Sequence, residues 1–387
     1  MDLFFYLKHF PPYGEDLHEG TRKAVHGLAA GIVACGAKVT ILCEWIQDSE
    51  FQSESGYTIR CFKNPKSRKT DTIDKTASFT LSPDLEPFLV EHRQNSLFIL
   101  NGIFHRSLAS LSQLLRKHSI PYIVAPHDVY HPAIFKKNAH LKWPYWYLLE
   151  KQMLQKAKAI QVLDRRQSQW LQQLNIQTSI IEVPNGFTNV DTINEVKLNY
   201  STKDPVKLFF FSRLDTYHKG IDLLLNAFAQ VAELTEVELT LQGPDWGNEK
   251  QYLEAYADRL GIIQKVKVFP PEYTSSPIEI IANYDIFCVP SRFEGFSLSA
   301  LEAMLAGRPV LVSEGAGIAP HVLASKCGVV VQPDIESIKS GLLKLIQKRS
   351  EWEAMGFCGR HYVLNNLSWK KIAANALEEY YRLIMLL

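Results

Sequence analysis

Apolar runs of strand length recur along this chain, each followed by a loop and then by residues with helical spacing. In the first half the runs fall at 3–7, 38–43, 57–62, 97–100, 122–125, 159–163 and 180–183. In the second half they fall at 206–211, 237–241, 266–269, 309–313 and 329–333, with one more ending at Pro290. Helical spacing covers 21–35, 106–117, 165–174, 221–234 and 297–306, and Gly36 and Gly307 stand where two of these helices should stop. The run Val-Lys-Leu-Phe-Phe-Phe at 206–211 is almost wholly apolar, as a parallel strand covered on both faces must be. Strand and helix in alternation predict an α/β protein with parallel sheets. A polar stretch at 188–205, ending in Lys-Asp-Pro, reads as a linker and places one domain at 1–188 and another at 205–367. Residues 65–78, rich in Ser, Thr and Lys, predict a mobile loop.

The most informative stretch is 285–317, a β-loop-α-β unit with two carboxylates. Winding its helix at about 100° per residue puts Glu302 on a stripe with Leu298, Leu301 and Leu305, in the middle of the face expected to pack on the sheet. A carboxylate there is costly unless something donates hydrogen bonds to it. The plain alternative is a helix glutamate snorkelling to water. Glu294 stands eight residues earlier, after Ser291 and before Gly295, in the loop at the carboxyl end of a strand, where open α/β sheets bind ligands. The amides of Phe296, Ser297 and Leu298 are expected in the first helical turn, where unpaired N–H groups and the helix dipole receive anions. Behind the strand at 206–211 come Arg213 and Lys219, a planar fork and a point charge suited to a diphosphate.

Glu294 and Glu302 in E-x7-E spacing, inside Pro-Ser-x-x-Glu-Gly-Phe and Leu-Glu-Ala-Met, resemble the signature of retaining glycosyltransferases of family 4, which have the GT-B fold. Ser212-Arg213-Leu214 with Lys219-Gly220, Gln242-Gly243-Pro244 and Pro184-Asn185-Gly186 resemble further motifs of that family, with Ser212 and Gln242 departing from its glycines. The resemblance implies two Rossmann-like doubly wound domains facing across a cleft, with a final helix at 368–387 crossing back onto the first domain. It also implies transfer of a hexose from a nucleotide sugar, for which UDP-glucose is the expected donor. The expected acceptor is a glycan or lipid-diphosphate-linked sugar of bacterial exopolysaccharide or cell-envelope synthesis. Glu294 is then expected at the donor sugar, Glu302 at the ribose, Arg213 and Lys219 at the diphosphate, and the backbone of Phe269 and Pro270 at the base.

His127, at a strand end, falls where the family has a histidine that reaches the donor sugar; with His131 it also admits a metal pair. Gly20 takes the family's second opening glycine, as a close-approach site or a plain helix-start glycine, while Glu19 replaces the first and would repel a phosphate. Asn185 is expected to face the cleft. The segment 134–160 carries Lys136, Lys137, Lys142, Lys151, Lys156 and Lys158 against one acid, Glu150, among Trp143, Tyr145, Trp146 and Tyr147. It reads either as an anionic-membrane or lipid-diphosphate surface, or as a core helix.

Composition narrows the alternatives. A net charge of +1 gives no global pull toward nucleic acid. Six cysteines without a Cys-x-x-Cys pair read as small core residues of a reducing compartment. With no basic leader and no apolar run of about 18 residues, the expected location is cytoplasmic, with peripheral contact at the inner membrane face. No Asp-x-Asp pair occurs, so neither a divalent metal nor a cofactor beyond the UDP-sugar substrate is expected. A nicotinamide dehydrogenase lacks its Gly-x-Gly-x-x-Gly turn here. A non-catalytic sugar-nucleotide sensor, a GT-B epimerase and a phosphorylase remain as alternatives.

Overall fold

The computed structural model describes residues 1–11, 19–64, 79–136, 138–188, 200, 202–203 and 205–385. The loop expected at 65–78 and most of the linker expected at 188–205 lie outside them. The chain divides into two compact units, one of Met1–Gly186 with Trp369–Leu387, the other of Phe187–Ser368.

The first unit is built on eight strands: β1 Asp2–Tyr6, β2 Val39–Trp45, β3 Ser49–Gln52, β4 Thr58–Lys63, β5 Ser96–Asn101, β6 Tyr122–Ala125, β7 Ala159–Val162 and β8 Ile180–Glu182. Their order is β3-β4-β2-β1-β5-β6-β7-β8. All neighbours are parallel except β3 with β4. The seven apolar runs of the first half are all strands. The polar edge strand β3, alternately half-buried and exposed, carries too weak a pattern to be read in advance. Every residue of β5 is buried, which is why it lacks the alternation of a one-sided strand. The helix Trp369–Met385 lies against the helix Gly20–Ala34, with the Trp369 indole where a side chain on Gly27 would stand, 2.1 Å from an added Cβ.

The second unit has six parallel strands, β9 Val206–Phe211, β10 Val237–Gln242, β11 Val266–Phe269, β12 Ile286–Val289, β13 Val310–Ser313 and β14 Gly328–Val331, in the order β11-β10-β9-β12-β13-β14. Successive strands grow outward from β9 in one direction and from β12 in the other, so the topological switch point lies between these two. The helices Glu249–Arg259, Pro277–Ile281, Ala319–Ser325, Ile335–Gln347 and Trp352–Asn366 of this unit lie outside the patterned stretches.

Three expectations need correction. Cys35 and Cys358 are exposed, so not all six cysteines are core residues. Within 134–160, Phe135 and Trp146 are buried while Tyr147 and Leu148 are exposed, so neither reading of that segment holds for all of it. His131 accepts a hydrogen bond from the Ala133 amide and meets the Trp170 ring edge-on, as a turn cap. It is not paired with His127 around a metal, and no cluster of metal-ligating side chains occurs among the described residues. No described helix is long and apolar enough to cross a membrane.

Candidate active site

The loops after β9 and β12 flank the switch point of the second sheet. Lys219 comes from the first and Glu294 from the second, and their side chains meet, Nζ to Oε1 at 2.7 Å, with only 10% and 14% of their surfaces exposed. Ser291 Oγ donates to the other carboxylate oxygen at 2.7 Å. Burial alone would raise the Glu294 carboxyl, but the Lys219 ammonium and the bonds from Lys219 and Ser291 outweigh it and hold it below the usual range.

The two loops are fastened to each other along their length. The Arg292 guanidinium grips the Asp222 carboxylate through two bonds of 2.7 Å and also donates to the Tyr217 carbonyl at 2.7 Å. The Arg292 amide donates to the His218 carbonyl at 3.0 Å, and the His218 ring stacks on Phe293 at 4.4 Å. Gly220, at φ +67°, lets the loops approach this closely, since a Cβ there would stand 2.1 Å from the Pro290 carbonyl oxygen. Asp222 and Arg292 were not singled out from the sequence, and His218 and Ser291 were given no role there beyond their place beside Lys219 and in the motif around Glu294. Their one legible signal is adjacency to Lys219 and Glu294, because the pairing joins positions 70 residues apart.

Arg213 lies in the same loop as Lys219, beside Asp215 at 3.3 Å and His218 at 3.3 Å, with its guanidinium 5.1 Å from the exposed Trp246 ring. Trp246 follows Gly243, where a Cβ would come 1.9 Å from the Ser212 carbonyl oxygen. At the end of β11, Phe269 is 44% exposed and its carbonyl accepts the Gly243 amide at 3.2 Å. Pro270 and Pro271 have no N–H, so backbone recognition of a base at this edge is restricted to carbonyl acceptors.

The helix after Glu294 runs Leu298–Leu305. Its first turn is Leu298, Ser299 and Ala300, so Phe296 lies before it, while the amide of the N-cap Ser297 stays with those of Leu298 and Ser299 among the donors without an intrahelical partner. Phe296 is instead buried, with its carbonyl accepting the Ile318 amide at 2.9 Å. Ser297 is the N-cap at φ +86°, a strained conformation for a non-glycine residue, and its hydroxyl accepts from the Ala300 amide at 3.4 Å. Gly295 is buried between them.

Glu302 does not sit in the middle of the buried face. The helix packs against β12, β13 and the helices Pro277–Ile281 and Trp352–Asn366, burying Ala300, Leu301, Ala303, Met304 and Leu305. This leaves one half-buried strip of Leu298, Ser299 and Glu302, which share a face by their i, i+3 and i+4 spacing. Glu302 therefore faces the same rim as the first-turn amides, where a ligand hydroxyl could reach it.

In the first unit His127 follows β6 at φ +59°. Its Nε2 lies 2.7 Å from Asn101 Oδ1, while Asn101 Nδ2 donates to the Tyr6 and Ile99 carbonyls at 3.2 and 3.1 Å. Those two carbonyl acceptors fix the amide's orientation, so the proton sits on His127 Nε2 and Nδ1 is left as a buried acceptor with no partner among the described residues. Burial pushes the imidazole down to about 4, so it is neutral at pH 7. Asn101 ends β5, next to β1 at that sheet's own switch point, and nothing in the linear pattern marks it. Glu19 turns its carboxylate to Arg22 at 3.2 Å, so the charge expected to repel a phosphate beside exposed Gly20 is matched within its own helix. Asn185 is 7% exposed.

Two doubly wound parallel sheets in one chain, the second with a fastened acid–base pair at its switch point, define a tandem Rossmann-like α/β protein. Residues 19–186 match the family model for a glycosyl transferase 4-like domain, and residues 193–361 that for glycosyl transferases group 1. The chain thus belongs to the GT4-type glycosyltransferases, which have the GT-B fold. The MMP alpha-(1->4)-mannosyltransferase of Mycolicibacterium hassiacum is 30% identical over 184 residues, 46% of this chain and 43% of that protein. The match covers less than half the length of such curated relatives. Sucrose-phosphate synthase from Thermosynechococcus elongatus shares the fold at a TM-score of 0.78 and 19% identity, over 100% of both chains. Anabaena HepE, in complex with UDP and glucose, does so at a TM-score of 0.72 and 15% identity, over 99% of this chain and 100% of that one.

Proposed function

We propose that this protein transfers a hexose, with retention, from a nucleotide diphosphate to a hydroxyl of a glycan or lipid-diphosphate-linked acceptor, in bacterial exopolysaccharide or cell-envelope synthesis on the cytoplasmic side. The observation that carries the reading is the fastened Lys219–Glu294 pair beside the Leu298, Ser299 and Glu302 strip. UDP-glucose is the donor we assign, supported by the fold shared with a protein that binds UDP and glucose. The mannosyltransferase relative makes a mannosyl donor the competing choice.

As the glycosidic bond lengthens, negative charge gathers on the diphosphate and positive charge on the anomeric carbon. Arg213, Lys219 and the first-turn amides at Leu298 and Ser299 take up the former. Each preorganised donor lowers the barrier by about 3 kcal/mol. Glu294 orients the sugar hydroxyls, Glu302 accepts from the ribose, and His127 Nδ1 accepts a hydroxyl of the donor sugar. Phe269 and Pro270 border the base, and Gly20 and Asn185 are further donor-contact candidates. Diphosphate leaves without a protonating carboxyl, and neither a metal nor a cofactor enters the reading.

The test is a melting panel of UDP-, GDP- and ADP-sugars. A bound donor at 100 times its dissociation constant stabilises by about 2.7 kcal/mol, and Glu302→Ala should lose that shift. Slow hydrolysis of the same donor without acceptor separates an enzyme from a sugar-nucleotide sensor. No shift with any nucleotide sugar would refute the proposal.

A further inference from the structure

Between β6 and β7 the chain forms a turn at Pro132–Phe135, a helix Ala139–Tyr145, a π-turn Trp146–Glu150 and a helix Lys151–Lys156. Its inner side is ordinary core, with Phe135, Trp146, Met153 and Leu154 all at most 2% exposed. The outer side is not an ordinary surface. Leu141, Tyr147 and Leu148 are 62%, 65% and 73% exposed, and Trp143 is 37% exposed.

Leu141 and Leu148 (i, i+7) form one stripe and Trp143 and Tyr147 (i, i+4) a second, and all four are on the exposed part of the helical segment. The two aromatics are held in place, because Trp143 stacks on the buried Phe135 at 4.3 Å and Tyr147 stacks on Trp143 at 5.8 Å. Four large apolar side chains held out to water on one short segment mark a contact site.

The outward-facing charged residues of this segment share one sign. Lys136 and Lys156 are exposed, and the Lys151 ammonium stands 6.0 Å over the Tyr147 ring. The segment's one acid, Glu150, is fully buried, accepting from the Phe104 amide at 2.9 Å and the Tyr130 hydroxyl at 2.6 Å. The segment thus turns positive charge outward and keeps its carboxylate inside. A second copy docked by the same face would set lysine against lysine, which disfavours a symmetric dimer. We propose that this face lies on an anionic lipid bilayer, with the Leu141, Trp143, Tyr147 and Leu148 side chains among the head groups and the lysines at the lipid phosphates. The proposal rests on this surface alone and stands or falls independently of the donor chemistry.

Flotation of the full chain with phosphatidylcholine vesicles, with and without phosphatidylglycerol, tests it. Binding is expected on the anionic vesicles at low salt and should decline as ionic strength rises. Lys136→Gln and Lys156→Gln should each weaken it about fivefold. The double change Leu141→Glu with Leu148→Glu should abolish it, and both sites are exposed, so the melting temperature should not move. Absence of flotation at low salt would overturn the proposal. So would equal binding to neutral vesicles, retention by the glutamate variant, or self-association that this variant abolishes in a chain that binds no vesicle.

Discussion

Replacing Lys219 by Met probes the centre of the site. The pair it belongs to is 2.7 Å long and nearly buried, and removing one partner of such a pair costs about 3–5 kcal/mol. Glu294 keeps its Ser291 bond in this variant and can escape the remaining penalty by taking up a proton. From a reference carboxyl of about 4.3, protonation at pH 7 costs about 4 kcal/mol, which caps the loss; at pH 5 the cap falls to about 1 kcal/mol. In the parent the Glu294 carboxyl is held low, so its contribution is present above the unfolded value and is lost only as pH falls through the folded one, below this range. Lys219→Met should therefore lower stability by about 3–4 kcal/mol at pH 7, or roughly 6–16 °C in melting temperature for a unit this size, and by much less at pH 5. The double variant Lys219→Met with Glu294→Gln buries no charge and should regain most of that stability while showing no transfer activity. Calorimetry of the parent, the single variants Lys219→Met and Glu294→Gln, and the double variant at both pH values gives the coupling. A coupling below about 0.5 kcal/mol, or a Lys219→Met penalty equal at pH 5 and pH 7, would refute the reasoning.

Three further outcomes follow from neighbouring features. His127, neutral with its value pushed to about 4, and Glu150, pushed by burial to about 7, act oppositely over the same pH window. Between about 4 and 6.5 the unfolded chain binds the extra proton at His127, so that group makes stability rise with pH by up to about 3 kcal/mol. Between about 4.3 and 7 the folded chain keeps the extra proton on Glu150, so that group makes stability fall with pH by a similar amount. Glu150→Gln should uncover the rise and His127→Asn the fall in melting curves recorded against pH; identical curves for the two would contradict both assignments. Ser297→Gly relieves the φ of +86° and gives up only a 3.4 Å cap, so it should stabilise the second unit by about 1 kcal/mol in urea titration. Arg292→Lys cannot form the two-bond fork to Asp222 and should weaken donor binding about tenfold by calorimetric titration, with Asp222→Asn equal to it and the double variant no worse.

Much of this protein was legible because parallel strands covered on both faces must be apolar along their length, and such runs survive as an unmistakable pattern. Glu294 and Lys219 were legible for a related reason: each lies in the loop after a run of that kind, at the strand ends where such sheets bind ligands. Glu302 shows the limit. Its spacing predicted the centre of a packed face, yet the helix is enclosed by two other helices as well as the sheet, which rotates the uncovered side onto Leu298, Ser299 and Glu302. The outward turn of Leu141, Tyr147 and Leu148 was likewise undecidable from the sequence, since Phe135 and Trp146 have the same character and are buried.

By itself the sequence determined the order of the elements, the parallel sheets and the residues at the strand ends, because these depend on local periodicity and on neighbours along the chain. Only the tertiary structure decided which of those residues touch. The Arg292–Asp222 grip, the Lys219–Glu294 bond and the proton on His127 fixed by Asn101 each join distant positions. Their strength comes from burial and from geometry good to a few tenths of an ångström, and neither quantity exists until the chain has packed.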